Sequence, residues 1–147
     1  MKENKVIVSS LNELLSDFQI YYQNLRGFHW NIQGKAFFEL HVKFEELYTD
    51  AAVKIDEIAE RILTVGGVPL HSFDDYLSHA QLKVAKNVHD AETSVSTVVD
   101  NLSTLLTKEK ELRITAGENQ DHATEDLLAT LIEEQEKTLW MYKAWLK

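Results

Sequence analysis

Apolar residues recur at steps of three and four along four long stretches of the chain, the period of an amphipathic helix. Leu11, Leu14, Phe18, Tyr21, Leu25, Phe28 and Ile32 form the first stripe, with Ser9 or Ser10 placed to cap its start and Gly34 to stop it. Phe37, Leu40, Phe44, Leu47, Ala51, Ile55, Ile58, Ile62 and Val65 form the second, ended by Gly66-Gly67 and kept ended by Pro69. The third carries Val88, Ala91, Val95, Val98, Leu102, Leu105 and Leu112 and breaks at Gly117. Leu127 or Leu128, Leu131, Leu139, Tyr142 and Leu146 mark the last. Each stretch is about 25 residues, or ~37 Å of helix. Four amphipathic helices of matched length predict an all-α four-helix bundle.

The first two stretches are joined by a short connection and should be antiparallel neighbours. From Gly66 to about His89 the chain must travel much further, so the third helix does not simply reverse beside the second. Within that crossover, Ser72-Phe73-Asp74-Asp75 has the form of a capping box, and Phe73, Tyr76, Leu77 and Ala80 give a short apolar face. A helix of one to two turns needs a surface to lie on, such as another subunit.

Composition narrows the function. At 147 residues the chain fits one domain, with residues 1–9 expected as a short tail before the first helix. Five Gly and one Pro are too few for a turn-rich β-sandwich or barrel. The absence of Cys removes disulfides, thiolate metal sites and thiol nucleophiles together. No run of 18 or more apolar residues occurs, and no signal-peptide core opens the chain, which makes the cytoplasm the expected location. The net charge of −9 argues against a basic face for nucleic acid.

Two clusters on the first two helices could carry chemistry. One is Arg26-Gly27-Phe28-His29-Trp30-Asn31, followed by His41 and then Glu45. The other is Asp56-Glu57-Ile58-Ala59-Glu60-Arg61, in which Asp56 and Glu60 share a helix face. Two histidines and two carboxylates form a donor set suited to iron, manganese or zinc. The bland readings are packed histidines and a solvated acidic face. Trp30 lies among polar helical neighbours, Arg26, Gln23 and Gln19, and Leu15, Tyr22 and His29 form a further stripe. The first helix is therefore expected to bury one face in its own bundle and one against a partner. Asp56 lies about 22 Å beyond His41 along one helix, so a single chain cannot place all four groups on one metal. Two chains about a two-fold axis can, giving two equivalent sites. The in-bundle signature Glu-x-x-His is absent.

The His29-Trp30-Asn31 segment, His41 and the Asp56-to-Arg61 run, with the closing Glu136-Lys137-Thr138-Leu139-Trp140-Met141, resemble the Dps mini-ferritins. The resemblance extends from about Leu11 to Leu146. It implies a ferritin-like bundle with a short extra helix in the crossover between the second and third helices. It also implies a dodecameric hollow shell that oxidises ferrous iron, preferably with hydrogen peroxide, and stores the ferric mineral. By it, His29 and His41 of one subunit and Asp56 and Glu60 of its two-fold mate form a di-iron site. Glu45 would support a second, weaker iron, and Trp30 would take or relay an oxidising equivalent. Asp121 and Asp126, at the start of the last helix, would line acidic pores; from the residues alone they serve equally well to complement the helix dipole. Lys2 and Lys5, offset by Glu3, are the only charges of the leading segment, and DNA binding is expected to be weak or absent. The other readings are a true ferritin or bacterioferritin, and a non-enzymatic helical interaction protein.

Overall fold

The computed structural model describes residues 2–147, with side chains from Lys5 onward. It contains α1 (Lys2–Asn31), α2 (Phe37–Thr64), α3 (Phe73–His79), α4 (Ala91–Glu118) and α5 (His122–Leu146), and no strand among the described residues. The expected tail is a correction: residues 2–9 belong to α1, and Ser9 and Ser10 lie inside the helix rather than capping it. The physical reason is Ile7. It stands one turn before Leu11 in the same stripe and is fully buried, which anchors the extra turn.

The four long helices pair as two hairpins, α1 with α2 and α4 with α5, and α1 also lies against α4. Gly34, at φ 107°, makes the turn out of α1, and Gly66, at φ 92°, makes the turn out of α2. Phe18, Phe28, Phe44, Leu25, Ile58, Ile62 and Leu102 fill the centre. Side-chain caps open the three later helices, at Ser72 as expected. Ser72 Oγ accepts from the Asp75 amide, Asp90 from Thr93 and Asp121 from Thr124, opening α3, α4 and α5.

Much of the second face of α1 is covered by its own chain, although Trp30 is left exposed. Leu15 is fully buried within the chain, and the half-buried Tyr22 meets Tyr48 edge-on at 5.9 Å. Polar residues on α1 instead strap down the crossover. Asn12 bonds Val68 O at 3.1 Å and the Leu70 amide at 2.8 Å. Asp17 Oδ1 accepts the amides of Gln81 and Leu82 at 2.7 and 2.9 Å. Asn24 bonds Lys83 O at 3.1 Å and the Ala85 amide at 2.9 Å. These bonds satisfy backbone groups that a buried loop would otherwise leave orphaned. The helix α3 lies on α1, so its support comes from its own chain, but Phe73 remains 81% exposed.

Candidate metal centre

The α1–α2 hairpin brings His29, in the last turn of α1, against His41, near the start of α2. Their rings stack with centroids 3.8 Å apart and planes 11° from parallel. Each ring donates from Nδ1 to the main-chain carbonyl of the other, at 2.6 Å from His29 and 2.7 Å from His41. A carbonyl only accepts, so both neutral rings carry their proton on Nδ1 and leave Nε2 with a free lone pair. This is the tautomer that binds a metal, held in place by the bond on the far side of each ring.

Aromatic neighbours fix the pair further. Phe37 continues the stack on His41 at 4.9 Å, and Tyr48 meets His29 edge-on at 5.4 Å. His29 is buried and His41 half-buried, whereas Glu45 projects into solvent. Glu45 Oε1 lies 3.6 Å from His29 Nε2. That separation is long for a hydrogen bond. It suits two groups sharing one cation, whose donor atoms about 2 Å from the ion stand ~3–4 Å apart.

Asp56 and Glu60 are both exposed on α2 and are not brought to the histidines. Among the described residues no group of three His, Cys, Asp or Glu side chains converges to hold a metal. Yet the two clusters share a surface. Val42, Glu45, Thr49, Val53, Asp56, Glu60 and Leu63, at steps of three and four, are all exposed along α2. Valine and leucine on that outward stripe are costly to leave in water. Trp30, 57% exposed beside His29, has the Arg26 guanidinium 4.9 Å from its ring centre.

At the acidic start of α5 the capping role is the one observed. Asp121 caps the helix, accepts from Thr124 and pairs with Arg61 Nη2 at 2.9 Å. Burial pushes its carboxyl up, but the Thr124 bonds and Arg61 more than offset this and hold it below the usual carboxylate range. Asp126 is exposed.

A polar cluster inside the bundle lies outside the residues picked from the sequence. Lys54 is 4% exposed, ion-paired to Asp50 and to Glu134 at 2.9 Å, and Glu109 is wholly buried and accepts from Gln135 at 2.8 Å. The signal for both was a charged residue at an in-phase apolar position: Ala51, Lys54, Ile58 on α2, and Leu105, Glu109, Leu112 on α4.

Residues 8–147 match the family model described as Ferritin-like domain. The "DNA protection during starvation protein" of Porphyromonas gingivalis is 44% identical over 99% of this chain and 92% of its own length. A crystal structure of a Dps protein from Vibrio cholerae O1, described as "a member of a broad superfamily of ferritin-like diiron-carboxylate proteins", superposes with a TM-score of 0.98. It is 49% identical, over 99% of this chain and 92% of that one. A Dps protein from Bacillus brevis gives 0.97 at 37% identity, over 100% and 99%.

Proposed function

This chain belongs to the ferritin-like family and, within it, to the Dps mini-ferritins, and from that membership we propose an iron-storing ferroxidase whose site is divided between two subunits. The observation that carries the proposal is the outward stripe of α2. It bears Glu45 beside the histidines near one end, Asp56 and Glu60 near the other, and exposed Val42, Val53 and Leu63 along its length. A second copy laid antiparallel on this stripe covers the apolar residues. The same operation sets the carboxylates of one chain against the histidines of the other, twice per dimer.

Ferrous iron is the substrate. His29 and His41 offer Nε2 lone pairs, while Asp56 and Glu60 of the mate supply negative charge that favours the ferric product. Glu45 lies where a second, weaker iron would be held. Hydrogen peroxide is the preferred oxidant. Two ferrous ions each lose one electron, the O–O bond takes both and breaks, and two protons complete two waters. Delivering both electrons at one site avoids the one-electron cleavage that releases hydroxyl radical. Trp30, beside His29, is placed to take a stray oxidising equivalent. Twelve subunits would close the shell and hold the mineral. Asp126, with Asp121 partly committed to Arg61, would draw cations to the pores by electrostatic focusing. The protection is thus chemical rather than a grip on DNA, since a net charge of −9 opposes phosphate contact.

Subunit mixing tests the division. His29→Ala and Asp56→Asn shells should each lose most peroxide-dependent iron oxidation. Shells reassembled from equal parts of the two should recover about a quarter of the wild-type rate. Half the dimers are then mixed, and each mixed dimer has one intact site and one doubly damaged site. No recovery in correctly assembled mixed shells would place all the ligands within one subunit and refute the proposal.

A further inference from the structure

Between the start of α2 and the end of α5 lies a groove that encloses about 540 Å³. That is the size of a small-molecule pocket, about 300–1,000 Å³. Leu40 and Leu47 of α2 and Met141 and Trp145 of α5 give it apolar walls. Met141 and Trp145 are 45% and 39% exposed, so the chain leaves those walls partly in water. Carboxylates surround them, from Glu39, Glu46 and Asp50 on α2 and Glu134 on α5. The two ammonium groups of the lining are already engaged, Lys43 by Glu46 at 3.1 Å and Lys54 by Asp50 and by Glu134 at 2.9 Å. Four carboxylates against two ammonium groups leave the groove with an excess of negative charge. Tyr142 completes the lining. Its hydroxyl is buried and has no hydrogen-bond partner among the described residues. Buried polar atoms are seldom left so in a folded protein.

We infer that the groove binds a small organic cation, a primary ammonium carried on an aromatic or branched apolar body. The body covers Leu47 and Met141, apolar surface that is otherwise left in contact with water. The ammonium gains from each group around those walls. The carboxylates at the mouth attract it, and a concave site with apolar walls focuses their field. The Trp145 ring offers the kind of face on which cations settle. The Tyr142 oxygen can accept an N–H; burial and the charge of Glu46 push its phenol up, so it stays neutral. An anion would meet the excess negative charge, and Lys54 could receive it only by giving up Asp50 or Glu134. A neutral molecule of the same shape would strip water from the carboxylates and return nothing to them. The groove lies about a third of a turn around α2 from the outward stripe of Val42, Glu45, Val53 and Asp56. The inference therefore concerns residues other than those of the surface iron site and stands or falls separately from it.

The test uses the assembled, iron-free protein, with phenethylamine, a cation at neutral pH, as the probe. Titration calorimetry should show one molecule bound per chain, with Kd below about 1 mM. Phenylethanol and phenylacetate, the neutral and anionic counterparts, should bind at least about tenfold more weakly. Added salt should weaken the amine and leave the alcohol unchanged. Glu46→Gln, which removes one charge from the rim, should weaken the amine about two- to fivefold. Thr138→Phe, which fills the groove from α5, should abolish binding. Crystals soaked in bromophenethylamine should show the bromine among Leu47, Met141 and Trp145. No binding in solution overturns the inference, and a bromine peak without it, binding at crystal concentration only, does so too. Equal affinity for the alcohol would reduce the groove to an apolar cleft without charge recognition and overturn it as well. Thr138→Phe and Glu46→Gln proteins that both bind as the wild type would place the amine elsewhere and refute the site. Should Thr138→Phe not fold, Glu46→Gln decides alone, because Glu46 is more than half exposed and fills no core position.

Discussion

Glu109 is wholly buried, and burial raises its carboxyl from the usual value near 4.5 to about 8, against the pull of the Gln135 bond and the Lys54 charge. Between those two values the folded chain binds a proton that the unfolded chain has released. Stability from this group is therefore complete below about pH 4.5, falls as pH rises through the window, and stays lost above about 8. Glu109→Gln keeps the shape and carries no titratable proton. Urea unfolding should show the variant close to wild type near pH 5 and more stable by a few kcal/mol near pH 9. Parallel pH profiles for the two proteins would show that Glu109 is ionised inside the bundle.

At the scale of elements, the crossover is held by side chains rather than by an apolar face. Asp17 is the central clasp, because one oxygen accepts two crossover amides and the other pairs with Lys108 of α4. Asp17→Ala leaves two amides and a nearly buried ammonium without partners, a loss of about 3 kcal/mol or more. Limited proteolysis should then cut between α3 and α4, and α1–α2 and α4–α5 should resist longer. The sequence made the long helices legible, since a period of 3.6 sustained over about seven turns has few rivals. It made the caps at Ser72 and Asp121 legible too. It hid the early start of α1, because the single residue Ile7 precedes two serines that read as a cap. It hid the clasp at Asn12, Asp17 and Asn24, because polar residues on a helix face look solvated until the distant segment that binds them is known. The histidine pair was legible by type and spacing. Its mutual carbonyl bonds were not, since they depend on how the α1–α2 turn closes.

For the molecule as a whole, the proposed dimer face is the exposed stripe of α2. Val53 lies midway along it, one turn from Asp56. Val53→Glu should place charge in the dimer face, shift the protein toward monomers by light scattering, and abolish iron oxidation along with assembly. Far-ultraviolet circular dichroism should stay unchanged, because the side chain occupies no core position. A Val53→Glu shell that stays assembled and active would move the dimer contact to another face.

The same chain is two helical hairpins joined by one belt, and the belt is fastened to the first hairpin along its length. Its last two fastenings are at Ala85, held by Asn24, and at His89, whose carbonyl accepts from the Gln33 amide at 2.8 Å. Between them stands Asn87, exposed and held at φ 57°. A solvent-facing residue of left-handed backbone between two buckles is where a polypeptide tolerates being cut. The subunit should accordingly survive a cut before Asn87, with the two halves copurifying when expressed separately. Residues 1–86 keep the belt and both histidines, residues 87–147 keep the second hairpin, and the core between them is the glue. The buckle from Gln33 to His89 then joins one half to the other, and it does so just past the end of the helix that carries His29.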